Sequence, residues 1–122
     1  GWVTSKQRMY VMTNSRQKGK RGELMASKEL KRLFGCEARR GQQYCGAAGD
    51  ADIITSIEGI HFEVKNVESL SLHKALEQAE ADKKYSEVPV VLHKKNRKDW
   101  VVICYLEDLG EVSERIIKTT EA

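Results

Sequence analysis

The stretch that most constrains the fold is residues 52–66. Two runs that read as strands, 52–57 and 60–66, flank a Glu58-Gly59 step. A two-residue connection ending in glycine predicts a tight hairpin. In that hairpin Ile57 pairs with Ile60, Ile54 faces Glu63, and Asp52 faces Lys65. Directly opposed residues point to one side of a sheet, as do residues two apart on a strand. Asp52, Glu63 and Lys65 are therefore expected on one face, with Phe62 and Val64 on the other as a core surface. Diagonal neighbours lie roughly 7–8 Å apart, close enough for Asp52 and Glu63 to grip one cation.

The flanking elements follow from periodicity and punctuation. Residues 22–34 hold good helix formers, and Gly35 sits where a C-terminal cap belongs. At 100° per residue, Ala26, Ser27, Leu30 and Phe34 share a face, and Glu23 lies on it too. A carboxylate on a buried stripe calls for an explanation. Residues 36–40 read as a short strand, and 41–49, with three glycines, as a loop. Residues 70–85 read as a helix whose apolar face is Leu72, Ala75, Leu76 and Ala79. Strands near 88–93 and 100–105 enclose a basic turn, and a weaker helical pattern covers 106–118. The order α-β-β-β-α-β-β-α predicts an α/β domain, a mixed sheet flanked by helices.

A chain of 122 residues is long enough for one core. Residues 1–16 show little periodicity and read as a flexible basic arm before a single domain over 17–122. Met9 and Met12 are both candidate starts, and Gly1 reads as a remnant of tag removal. The content of 40% hydrophobic and 32% charged residues fits a globular chain. No apolar run approaches the roughly 20 residues of a membrane span, and no signal-peptide pattern is present. Cys36, Cys45 and Cys104 have no metal-ligand spacing and read as free thiols, which suits a reducing, cytoplasmic setting.

The net charge of +3 is unevenly spread. Residues 1–65 carry 12 Lys and Arg against 7 Asp and Glu, whereas 66–122 carry 9 against 11. Lys18, Lys20 and Arg21 belong to an acid-free opening stretch, and Lys94, Lys95, Arg97 and Lys98 form a second cluster. Such clusters suggest a phosphate-bearing partner, with a solvated face as the plain alternative.

Two carboxylates and a lysine on one face suit phosphodiester hydrolysis. The carboxylates hold Mg²⁺ or Mn²⁺ through oxygen ligands, and the cation activates water and steadies the leaving oxygen. The lysine orients or deprotonates the attacking water, or offsets charge in the transition state. The Val64 carbonyl is a natural further ligand, and Glu23 a third carboxylate. The bland alternative is a surface hairpin with an ordinary Asp52–Lys65 cross-strand pair. His61, His73 and His93 have no ligand spacing, and His61, on the catalytic face by alternation, reads as an ordinary strand histidine or a peripheral contact.

Glu23, then Gly49-Asp50-Ala51-Asp52-Ile53-Ile54, then Glu63-Val64-Lys65 resembles the PD-(D/E)xK nuclease superfamily. More narrowly the chain resembles archaeal Holliday junction resolvases and phage-encoded resolvase-like nucleases. The Lys18-Gly19-Lys20-Arg21-Gly22-Glu23 opening, Arg39-Arg40-Gly41-Gln42-Gln43-Tyr44 and Arg97-Lys98-Asp99-Trp100 carry that narrower likeness. Ala51 stands where the superfamily name has proline. The resemblance covers about residues 16–109. It implies a restriction-endonuclease-like fold, metal ligation by Glu23, Asp52, Glu63 and Val64, and a catalytic Lys65. Some superfamily members use a glutamine on the following helix with a tyrosine beyond it; Gln78 fits that place, with Tyr85 seven residues on and sharing its face, the plain alternative being that Gln78 only edges the apolar stripe.

The expected activity is metal-dependent cleavage of branched DNA by a homodimer. Arg39, Arg40, Lys94, Lys95, Arg97 and Lys98 are expected on phosphates. Residues 100–105, Leu109, Val112, Ile116 and Ile117 are the apolar candidates for the dimer interface, or they simply complete the monomer's core, which is the favoured reading for the strand. The alternatives are a nuclease of duplex or single strands, and a catalytically silent nucleic-acid-binding module.

Overall fold

The computed structural model describes the backbone of residues 5–41 and 51–121, and side chains from residue 16 onward. Of the expected loop 41–49, residues 42–49, with Gln42, Gln43, Tyr44, Cys45 and Gly49, lie outside the described residues, as does Asp50. The elements run α1 (Ser5–Phe34), β1 (Ala38–Arg40), β2 (Ile53–Thr55), β3 (Ile60–Asn66), α2 (Leu72–Asp82), β4 (Val88–Lys94), β5 (Val101–Ile103) and α3 (Leu109–Glu121), with one 3₁₀ turn at Leu106–Asp108. The strands form one sheet in the order β1-β2-β3-β4-β5. Among the described strands only β3 and β4 run parallel. A parallel neighbour requires a crossover connection, which α2 supplies.

β3 is central and buried on both sides, as a strand covered by helices on each face must be. Ile60, Phe62 and Val64 join Ala26 and Leu30 of α1 in the main core, with Ile53, Val90 and Leu92. Each such buried aliphatic or aromatic side chain stabilises the fold by roughly 1.5–3 kcal/mol. A second cluster, Ala75, Leu76 and Ala79 of α2 with Val91, closes the opposite face. Leu72, expected on that apolar stripe, is exposed.

α1 differs from expectation at its start. It begins at Ser5 rather than near Gly22, so residues 5–16, expected as a flexible arm, are helical. The Lys-Gly-acid segment thus lies within the helix instead of opening it. Gly22 is there for contact: a Cβ would meet the Asn66 Cβ at 2.7 Å. Its absence lets α1 lie against the end of β3, where Asn66 donates from Nδ2 to the Lys18 carbonyl at 2.9 Å.

The β2–β3 register also differs. Ile53 pairs with Phe62, so each β2 residue sits two places from its expected partner. The connection is wider than a two-residue turn. Ile57 is buried in the core instead of pairing with Ile60, and its N–H is donated to the Thr55 hydroxyl at 3.1 Å. Gly59 closes the turn at φ +83°, a left-handed conformation that glycine adopts without strain. A slip of two preserves the parity of every side chain, whereas a slip of one would have inverted the strand. α2 ends at Asp82, shorter than expected, and Tyr85 beyond it is fully exposed. Tyr85 therefore shares no helical face with Gln78. No described helix is long and apolar enough to cross a membrane.

Candidate active site

Continuing the observed register one step places Asp52 across from Glu63, rather than from Lys65. Ile53 points into the α1 core, so Asp52 points to the other face, which β3 lines with His61, Glu63 and Lys65. Asp52, Glu63 and His61 are all buried. Backbone hydrogen bonds fix the approach to Asp52: its carbonyl accepts the Gly41 N–H at 2.8 Å, and its carboxylate Oδ2 accepts the Val64 N–H at 2.9 Å.

Two adjacent buried carboxylates cannot both ionise cheaply. Burial, reinforced by the charge of Glu63 and more weakly of Glu23, pushes the Asp52 carboxyl up to about 7, against the Val64 hydrogen bond. Glu63 goes the other way. Burial would raise it, but the hydrogen bond and charge of His61 outweigh that, helped by Asp52 and Lys65. The pair thus favours one proton on Asp52 and a negative Glu63.

Glu63 is surrounded. His61 Nε2 lies 2.8 Å from its Oε1. Asp82, the last residue of α2, also approaches Glu63, and burial followed by the charge of Glu63 raises its carboxyl. Single ligand atoms of His61, Glu63 and Asp82 lie within 4.8 Å of one another. One turn earlier on α2, Gln78 accepts a hydrogen bond from Lys65 Nζ at 3.0 Å. Residues four apart on a helix and two apart on a strand have similar spacing, so α2 offers Asp82 to Glu63 and Gln78 to Lys65.

Glu23, the inward acid of α1, has a partner. Arg40 of β1 donates from Nε to its Oε1 at 2.5 Å. Arg40, expected on a phosphate, is thereby engaged at the rim of the site. Glu23 still lies close enough to raise the Asp52 carboxyl. The part of Val64 seen to act here is its amide, donated to Asp52.

The donor set suits a hard divalent cation. Asp52 and Glu63 carry oxygen donors and a mutual repulsion that protonation or a cation relieves, and Glu23 adds a third carboxylate nearby. His61 and Asp82 were not expected around Glu63. Alternation placed His61 on this face, but pattern alone could not distinguish a buried partner of Glu63 from a peripheral histidine. Asp82 had one signal, its position one helical turn beyond Gln78.

The basic residues surround these groups more loosely. Lys20, Arg21 and Arg39 are exposed, and Lys18 is half-buried, 4.0 Å from Glu68. In the β4–β5 turn Lys95, Arg97 and Lys98 are exposed, with Arg97 at φ +62°. Lys94 is turned inward, donating to the carbonyls of Lys95 and Lys98. This turn and α1 enclose a cleft lined by Lys28, Arg32, Arg97, Lys98 and Trp100. A second cleft, beside Arg115 and Lys118, is lined by none of the site carboxylates.

The family described as phage putative PDDEXK endonuclease matches the chain over residues 14–121. No curated protein and no solved structure matches it. The mixed five-stranded sheet with its flanking helices is the restriction-endonuclease-like α/β arrangement that this family implies.

Proposed function

The chain belongs to the phage PDDEXK endonuclease family, and on that premise we propose that it hydrolyses phosphodiester bonds in branched DNA, using a divalent cation at Asp52 and Glu63. The observation that carries this reading is the buried Asp52 set across from Glu63, with Lys65 two residues further along the same face. Glu23 and the Val64 carbonyl complete the proposed ligand set. Mg²⁺ or Mn²⁺ bound there supplies charge neutralisation of the phosphate and a more acidic water.

The chain's own residues do the rest. Lys65, half-exposed and held by Gln78, orients the attacking water and offsets charge at the phosphate. Arg40 holds Glu23 toward the site. Arg39, Lys95, Arg97 and Lys98, with Lys18, Lys20 and Arg21 along α1, contact the DNA backbone and set affinity rather than sequence. The setting is the cytoplasm of a bacterial or phage-infected cell.

Resolving a four-way junction takes two cuts on opposing strands, which a symmetric dimer supplies. The candidate interface is narrower than the sequence suggested. Val112 is buried and Ile116 half-buried in the main core, whereas Val101, Val102, Leu109 and Ile117 are exposed. β5 is an edge strand, and an exposed apolar edge is a pairing surface.

The test is cleavage of a four-way junction, a fork, a nicked duplex and a linear duplex, each with Mg²⁺ and with EDTA. Paired, symmetric nicks in the junction under excess linear duplex are expected. Full activity in EDTA would sink the hydrolytic reading. Equal cleavage of linear duplex would retain the nuclease and reject the junction preference.

A further inference from the structure

His61, the second residue of β3, has no solvent exposure. A buried imidazole is costly unless its nitrogens are paired. Among the described residues Nδ1 has no hydrogen-bond partner, and Glu87 Oε1 lies 3.9 Å from it. An apolar residue would pack at this position without that penalty, as Phe62 and Val64 do on the other face. The hydrogen bond its side chain does make is to Glu63 Oε1, at 2.8 Å.

The geometry points to His61 as a positioning residue that locks the Glu63 carboxylate for the cation shared with Asp52. This rests on the proposed reading of Glu63 as a ligand. With Oε1 accepting from Nε2, the Glu63 side chain loses its rotational freedom before any cation arrives. A carboxylate ordered in advance spares the binding step the loss of side-chain entropy. Outer-sphere partners of this kind commonly govern metal affinity more than turnover. An ionised carboxylate is acceptor-only, so Glu63 Oε1 at 2.8 Å from Nε2 calls for the N–H on that nitrogen.

The test is titration of the DNA-free protein with Mn²⁺, followed by calorimetry and by the electron paramagnetic resonance of the free ion. Three forms are compared: wild type, His61→Gln and His61→Leu. Glutamine carries an N–H donor at the reach of Nε2; leucine fills the space without one. His61→Leu should bind Mn²⁺ about 10–100-fold more weakly, with unchanged stoichiometry. His61→Gln should stay close to wild type, and cleavage by His61→Leu at saturating Mn²⁺ should recover most of its rate. Wild-type affinity in His61→Leu overturns the proposal. So does a lost binding equivalent, which would make His61 a ligand itself. A wild type that binds no Mn²⁺ removes the metal reading beneath both. Should His61→Leu not fold, ¹⁵N shifts of the wild-type imidazole decide: a protonated Nε2 hydrogen-bonded to Glu63 supports the role, and an unprotonated Nε2 overturns it.

Discussion

Lys65 donates from Nζ to Oε1 of Gln78 at 3.0 Å, joining the end of β3 to α2. The bond fixes a long, half-exposed side chain that would otherwise sample many rotamers. Lys65→Ala should therefore lower single-turnover cleavage by roughly 10²–10⁴-fold while leaving the fold and most DNA affinity intact. Gln78→Ala should lower it less, since the ammonium survives and only its orientation is lost. A wild-type rate in Gln78→Ala would remove that residue from the site.

The Asp52 carboxyl gives a pH prediction for the metal-free protein. Burial and Glu63 raise it from 3.8 to about 7 in the folded state. Between those values the unfolded chain releases a proton that the folded chain retains, so this group's contribution falls as pH rises. Asp52→Asn removes the titration and keeps an oxygen for the Val64 N–H. Thermal unfolding in EDTA should show the variant gaining stability over wild type as pH rises toward neutral, while its cleavage drops by orders of magnitude. A variant that loses ground to wild type over that range would contradict the raised carboxyl.

Arg40 separates a site role from a phosphate role. Its guanidinium is already engaged by Glu23. Arg40→Ala should slow cleavage yet leave the salt dependence of DNA binding unchanged, because no phosphate contact is lost. A phosphate ligand would instead lower the slope of log affinity against log salt by about one. Fluorescence anisotropy over a salt series distinguishes the two.

The β4–β5 turn should behave in the opposite way. Replacing Lys95, Arg97 and Lys98 together with Ala should weaken binding to every DNA tested and flatten the salt slope, with little effect on the rate at saturating DNA. Lys94→Ala should act through the turn itself, because its ammonium holds the Lys95 and Lys98 carbonyls. The thermal midpoint should move more than the salt slope. Unchanged affinity in the triple variant would make this turn an ordinary solvated tip.

The exposed edge offers a check on assembly. Light scattering of the full chain should give twice the monomer mass, and Val102→Lys should shift it toward monomer. Val102 is 62% exposed, so a charge there costs the folded monomer little. A wild type of monomer mass would reject the homodimer.

The sequence by itself determined the order of elements and which side of each strand a residue faces. Both are local: the strand repeat of two puts Asp52, Glu63 and Lys65 together whatever the register, provided any slip is even. The helical repeat likewise set Glu23, Ala26 and Leu30 inward along one stripe. Tertiary structure decided the distances. It drew Ile57 into the core, which moved Asp52 from Lys65 to Glu63. It joined Glu23 to Arg40 and Lys65 to Gln78 across 17 and 13 residues of chain. It also brought Asp82 at the end of α2 up to Glu63. A periodic pattern specifies direction from the chain axis but not how far away the next segment lies. That separation depends on side-chain volumes packed from both sides, as at Gly22, where the missing Cβ lets α1 rest on Asn66.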